Sequence, residues 1–200
     1  MDEFLQTRLP LKIDDLVIRR IVSDDFDDLF EYRSDPDCAR YSFWEPESAG
    51  QVIEMIDGQT NTEIDLPGIT LILAVVFEGK VIGDCQLTIT NPFDQQAELG
   101  FILNPKFSGR GLATRAVIYM LGIGFLQLGM HRIVGGSDIR NEPSWRLMER
   151  VGMRREAHFL QDNFVKGEWI DSFAYAMLAD EWRDRHEALI PLISSENESA

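Results

Sequence analysis

Residues 69–104 constrain the fold more tightly than any other stretch. A β-branched run, "ITLILAVVF", meets the tight turn "EGK" and returns as "VIGDCQLTIT"; "NPFD" then turns the chain into "QAELGFILN". Turns this short cannot carry a crossover, so the three strands must form an antiparallel meander. Pro105 supplies no ladder donor and ends the third strand. A glycine corner, "FSGRGLATRA", follows at once and opens a helix over about 109–128, with Val117, Met120, Leu121, Gly124 and Leu128 at helical spacing. The helix is followed by the short strand "RIVGGSD" (132–138). A strand, a helix and a strand in that order add a crossover to the meander, so the sheet is mixed.

The remaining elements extend this plan. "LVIRRI" (16–21) reads as a first strand. Ser23 then caps a helix whose inner face carries Phe26, Leu29 and Phe30, and "SDPD" (34–37) ends it. A second helix fits 46–59, with Val52, Ile53 and Ile56 as its stripe, and "TNTEIDLPG" reads as a polar rim loop. "NEPSWRLMERVG" is a helix opened by Asn141 and closed by Gly152. "MRREAHFLQDNFV" and "EWIDSFAYAML" are two strands joined around "KG". The expectation is one α/β (α+β) domain over 1–190, with about seven strands, an antiparallel first half and about four flanking helices. An acidic tail of disorder-prone composition is expected over 191–200.

The net charge of −15 argues against a general binder of nucleic acid or anionic membrane. The charge is uneven along the chain: residues 101–155 hold nine Lys/Arg and three Asp/Glu. Either this segment serves one anionic ligand, or folding spreads the charges out again. Cys38 and Cys85 fit no zinc spacing, and no metal site is expected. The acidic start "MDEFLQTRLP" has no secretory core, and no apolar run reaches membrane-spanning length, so a soluble cytoplasmic protein is expected.

A strand running through a glycine turn into a helix points several N–H groups one way, and the helix dipole adds partial positive charge there. Such a corner can hold an anion, and Arg110 could add a forked donor. "GRGLAT" lacks the Gly-Lys-Ser/Thr of a Walker A loop and the third glycine of a dinucleotide fingerprint.

The corner has company. The run from "AELGF" through "FSGRGLATRA", "LGMHRI", Asn141-x-x-Ser144 and "RVGMRREA" resembles the GNAT superfamily of acyl-CoA-dependent N-acetyltransferases. Within it, the chain most resembles the RimJ/RimL type, which acts on protein N-terminal amines. "LVIRR" and "WIDSFAYAML" extend the resemblance over about 15–182. The family signature, Gln/Arg-x-x-Gly-x-Gly/Ala, reads Ser108-x-x-Gly111-x-Ala113 here, so its first position departs. The resemblance implies acetyl-CoA as cosubstrate. Main-chain amides of Gly109, Arg110, Gly111, Leu112, Ala113 and Thr114 would hold the pyrophosphate. Phe101, Ile102 and Leu103 would offer main-chain bonds to the pantetheine where this strand and the next splay apart, and Asn141 would meet the same arm.

Amide formation from an amine and a thioester needs a proton acceptor, a stabilised carbonyl oxygen and a leaving sulfur. Glu98, on the strand face opposite Ala97, Leu99 and Phe101, is the candidate base, with apolar neighbours expected to raise its pKa; read otherwise, it is a solvent-facing carboxylate. Ser144 is the candidate partner of the departing sulfur by resemblance; read otherwise, it bonds the first helical turn. Asp162 and Asn163 are weaker acceptor-site candidates, and His131 and His158 could move protons, although His131 reads first as structural. Tyr41, Phe43 and Trp44 read first as core and second as an acceptor-pocket wall. The expected acceptor is a primary amine, on a small amine, a peptide or a protein N-terminus, and the expected assembly is a monomer or homodimer. An acyl-CoA sensor without turnover, or a nucleotide-binding protein, would be the other readings.

Overall fold

The computed structural model describes residues 9–42, 44–60 and 68–194. Their strands form one sheet in the order β1-β2-β3-β4-β5-β6-β8-β7: β1 Leu11–Ile13, β2 Leu16–Arg20, β3 Thr70–Phe77, β4 Lys80–Asn91, β5 Gln96–Leu103, β6 Arg132–Asp138, β7 Arg154–Val165 and β8 Glu168–Leu178. The meander expected over 69–104 is β3–β4–β5. The only parallel pair among these strands is β5–β6, and it extends through three residue pairs, Gln96↔Arg132 to Glu98↔Val134. Eight strands replace the expected seven, because "LKI" pairs back on Leu16–Ile18 as a three-residue edge strand too short to show a period.

The helices are α1 Phe26–Arg33, α2 Pro36–Ala39, α3 Ala49–Thr60, α4 Leu112–Gly122, α5 Glu142–Val151, α6 Ala179–Arg185 and α7 Ile190–Ser194. "SDPD" does more than end α1: the Asp35 carboxylate caps α2, accepting from the N–H groups of Asp37 and Cys38. The 109–128 helix is α4 followed by a π-helical stretch, Ile123–Gln127. The tail expectation is corrected at its start, since Ile190–Ser194 is helical and Ile193 is buried against Gly122 and Trp182. Residues 195–200, Phe43 and most of the "TNTEIDLPG" loop lie outside the described residues.

Strand alternation sorts the side chains onto two faces. The α4 face buries Leu16, Ile18, Leu73, Leu87, Leu99, Ile133 and Met177 with Val117, Met120 and Trp182. The other face packs Ala74, Val76 and Val81 against Leu29, Tyr32, Val52 and Ile56 from α1 and α3. Those helices cover the β2–β4 half of this second face. Beyond them, Glu98, Gly100, Val134, Gly136, Ala174 and Ala176 share it by register.

Candidate active site

The site is built around a fork. Two strand ladders determine which main-chain groups face it. The Asn104 N–H donates to the Ile82 C=O at 2.7 Å, which sets the alternation of the antiparallel β4–β5 pair. Glu98, Gly100 and Ile102 therefore turn their main-chain groups to β4, and Leu99, Phe101 and Leu103 turn theirs toward β6. On the far side, the Ala179 N–H donates to the His131 C=O at 3.0 Å. Ile133, Gly135 and Ser137 thus bond β8, whereas Val134, Gly136 and Asp138 face β5. Pairing stops after Glu98↔Val134, so the main-chain groups of Phe101, Leu103, Gly136 and Asp138 line an opening between diverging strands. Two of these carbonyls have other partners among the described residues: the Leu103 C=O accepts from the Cys38 thiol at 3.9 Å, and the Asp138 C=O accepts from the Asn141 N–H at 3.0 Å and from the Ser137 hydroxyl at 3.1 Å. This narrows the expectation for Phe101, Ile102 and Leu103, because the Ile102 main chain is committed to β4. Gly136, which sequence reading passed over, borders open space.

The wide end of the fork meets the glycine corner. Gly109 and Gly111 have φ of +77° and +75°, and a Cβ on either would meet no heavy atom within 4 Å. Here glycine is required by the left-handed backbone, not by crowding. Gly111 is the N-cap of α4 and no side chain caps the helix; the first N–H bonded to its carbonyl is that of Arg115. The amides of Leu112, Ala113 and Thr114 have no acceptor within the helix.

The clustered positive charge is corrected by the fold. Lys106 pairs with Glu31, Arg115 with Asp15, Arg132 with Glu156, Arg140 with Asp138 and Glu168, Arg146 with Glu142, Arg154 with Glu156 and Glu181, and Arg155 with Glu149. Among the described residues, the two cations of this segment outside ion pairs both stand at the corner. Arg110 lies 4.5 Å from the Phe77 ring centroid, and the Arg150 guanidinium donates to Thr114 Oγ1 at 3.2 Å. A local surplus remains where an anion could be held, smaller than the sequence suggests.

Glu98 stands at the closed end of the fork, opposite Thr88 and Val134, and on the expected strand face. The apolar enclosure expected around its carboxylate is absent, since the residue is exposed. Asn141 and Ser144 follow β6 at the wide end. The Asn141 Oδ1 accepts from the Ser144 N–H at 3.4 Å as the N-cap of α5. Ser144 is half-buried, and its hydroxyl has no partner among the described residues. Helix α5 runs back along the α4 face, where a Cβ on Gly135 would come within 3.0 Å of Met148 Sδ. Glu98 and Ser144 thus approach the fork from opposite faces of the sheet.

The weaker candidates have structural partners. Asp162 accepts from Ser172 Oγ at 2.7 Å and from Asn163 Nδ2 at 2.8 Å. His158 lies 3.7 Å from Asp171 and edge-on to Phe173, and His131 joins strands through its main chain. Trp44 is exposed and covers the Arg33 guanidinium at 5.1 Å instead of entering the core. Beneath it lies a buried network that sequence reading missed: Tyr32 Oη and Arg33 Nη2 each donate to Asp84 Oδ2 at 2.6 Å. Burial, then the adjacent Asp84 charge, pushes the Tyr32 hydroxyl well above its ordinary range. Burial alone would raise the Asp138 carboxyl, but its bonds from Arg140 outweigh that and hold it low. The described residues contain no group of three or more His, Cys, Asp or Glu able to hold a metal. No helix among them is long and apolar enough to cross a membrane.

A forked β5–β6 pair leading to an uncapped glycine corner can hold a long, phosphate-ended arm with its acyl end toward Glu98. The family described as "Acetyltransferase (GNAT) domain" matches residues 15–154. The chain belongs to the GNAT acetyltransferase family. As a GNAT enzyme it is an acyl-CoA-dependent acetyltransferase that uses acetyl-CoA. It is 38% identical over 85 residues to the uncharacterized N-acetyltransferase YnaD of Bacillus subtilis, covering 42% of this chain and 50% of that protein. With the uncharacterized N-acetyltransferase p20 of Bacillus licheniformis it shares 27% identity over 173 residues, 84% of this chain and 94% of that one. The structure of spermidine N-acetyltransferase from Vibrio cholerae in complex with CoA and spermine has the same fold. It superposes with a TM-score of 0.74 at 22% identity, over 85% of this chain and 99% of that one.

Proposed function

We propose that this GNAT enzyme moves an acetyl group from acetyl-CoA to the primary amine of a cationic acceptor, a polyamine or the N-terminus of a peptide or protein. The observation that carries this reading is the fork: unpaired strand groups lead from an exposed carboxylate to an uncapped helix mouth. The RimJ/RimL likeness favours an N-terminal amine, whereas the likeness to the Vibrio cholerae spermidine N-acetyltransferase favours a polyamine. A net charge of −15 suits either, since it attracts cations.

Acetyl-CoA supplies an activated thioester carbonyl. The amides of Leu112, Ala113 and Thr114, with Gly109, Arg110 and Gly111 in the turn, would hold its diphosphate, and the main chains of Phe101 and Leu103 would hold its arm. Asn141 has an uncommitted side-chain amide at the wide end. Glu98 would take a proton from the ammonium, directly or through water, leaving the amine nucleophilic. The Ser144 hydroxyl would donate to the departing sulfur; its free orientation and approach from the other face suit that role. A thiol-release assay with acetyl-CoA against spermidine, spermine and short peptides tests the reading. Turnover with at least one primary amine is expected, and saturable CoA binding without turnover by any amine would overturn it.

A further inference from the structure

Gly100 and Gln86 face each other across β4–β5, on the sheet face that carries Glu98. A Cβ on Gly100 would lie 2.2 Å from Gln86 Nε2, 2.7 Å from Cγ and 2.8 Å from Cδ. The Gln86 carboxamide therefore occupies the space that a side chain at residue 100 would fill, a position that only glycine permits. Gly100 is not among the residues with left-handed φ, so the backbone gives no reason for glycine here. What the missing side chain provides is room for Gln86. That room brings a polar group from β4 over Gly100 of β5, two residues along from Glu98 on the same face and one strand closer to the fork. The amide is half-buried and forms no hydrogen bond with any described residue. A neutral group with an acceptor and two donors, held in place and uncommitted, is suited to a ligand.

We infer that Gln86 is an acceptor-positioning residue: its Oε1 accepts an N–H of the incoming amine and aims the nitrogen's lone pair into the fork while Glu98 removes the proton. Gly100 is the platform that allows it. The inference rests on the reading of Glu98 and of this face as the acceptor side. A neutral amide suits the task because it binds ammonium and free amine alike, without competing with Glu98 for the proton.

The test compares Gln86→Ala, Gly100→Ala and the double variant, using the primary amine turned over fastest by the wild type. Each single variant is expected to lower kcat/KM for the amine about tenfold, the weight of one hydrogen bond to a polar ligand group. The Kd for acetyl-CoA stays within about twofold, since that contact does not reach the phosphates or Phe101. In the double variant the methyl added by Gly100→Ala no longer meets a glutamine side chain, so this protein is expected to fold like the wild type and to lose no more activity than either single variant. The Gln86 side-chain amide NMR signals should also shift when the amine is added to CoA-loaded protein. Full activity in Gln86→Ala, losses that multiply in the double variant, or amide signals unmoved by a turned-over amine would each overturn the inference. If Glu98→Gln keeps wild-type turnover, the reading of the base fails instead, and the two failures are told apart.

Discussion

Replacing Gly111 by Glu, measured against Gly111→Ala, isolates the electrostatics of the helix mouth. Gly111 has φ +75° and ψ 2°, and an added Cβ meets nothing within 4 Å. Both variants therefore carry the same left-handed backbone cost, about 1–2 kcal/mol, without a clash. For a chain of this length that lowers Tm by about 2–8 °C. The glutamate recovers about 0.3–1 kcal/mol from the helix dipole, so it should be at least as stable as the alanine variant. Binding separates them in the opposite sense. A carboxylate about 4 Å from a phosphate charge is repelled by about 1 kcal/mol in bulk water and about 4 kcal/mol at the effective dielectric of a protein surface. CoA affinity should then fall between about fivefold and a thousandfold in the glutamate variant. The alanine variant should bind close to wild type. Calorimetric titration with CoA reads both numbers, and 1 M salt should narrow the gap, because screening there acts within about 3 Å. A folded Gly111→Glu that binds CoA as tightly as wild type would refute a diphosphate at this mouth.

Glu98→Gln should lower kcat about 10²–10⁴-fold with the Kd for CoA unchanged, as measured by thiol release and calorimetry. Arg33→Met leaves the Asp84 carboxylate buried with only Tyr32 beside it; breaking this kind of pair costs about 3–5 kcal/mol, readable in denaturant unfolding. Side-chain bonds from Arg132 and Arg154 lower the Glu156 carboxyl from 4.5 to about 2. The folded value lies below the unfolded one, so this group's stabilisation is full above about pH 4.5 and is lost as pH falls toward 2. Glu156→Gln should flatten the Tm-against-pH curve in that window. Burial, then the Asp84 charge, pushes the Cys38 thiol up to about 11 and Cys85 higher still, so iodoacetamide at neutral pH should label Cys38 slowly and Cys85 only on unfolding.

Much of the fold was legible because its signals are local. The β-branched runs and short turns of 69–104 dictate the meander, and the strand 132–138 and the Asn141 and Gly152 caps fall where the sequence puts them. β1 escaped because three residues cannot show a period, and α2 because "SDPD" reads as a stop even though Asp35 caps a new helix. In the site, the glycine corner and the strand face of Glu98 were readable from spacing and alternation. The exposure of Glu98 was not, since it depends on which strands flank β5 and what covers them. Nor was the difference between Ile102 and its neighbours, which follows from ladder phase. Long-range ion pairs such as Arg115–Asp15 and Arg132–Glu156 erase most of the charge clustering, and no local count could show that. The doubled glycine in "RIVGGSD" was the one available signal for Gly136. Gln86 carried none, because its meaning comes from Gly100 on the next strand.

Residue-resolved amide hydrogen exchange with and without CoA tests the central claim most directly. If the fork and the glycine corner hold the cosubstrate, saturating CoA should slow exchange at Phe101, Leu103, Leu112, Ala113 and Thr114, and leave Gly100 and Ile102, already bonded to β4, unchanged. Saturation of the protein with none of those five amides protected would contradict it.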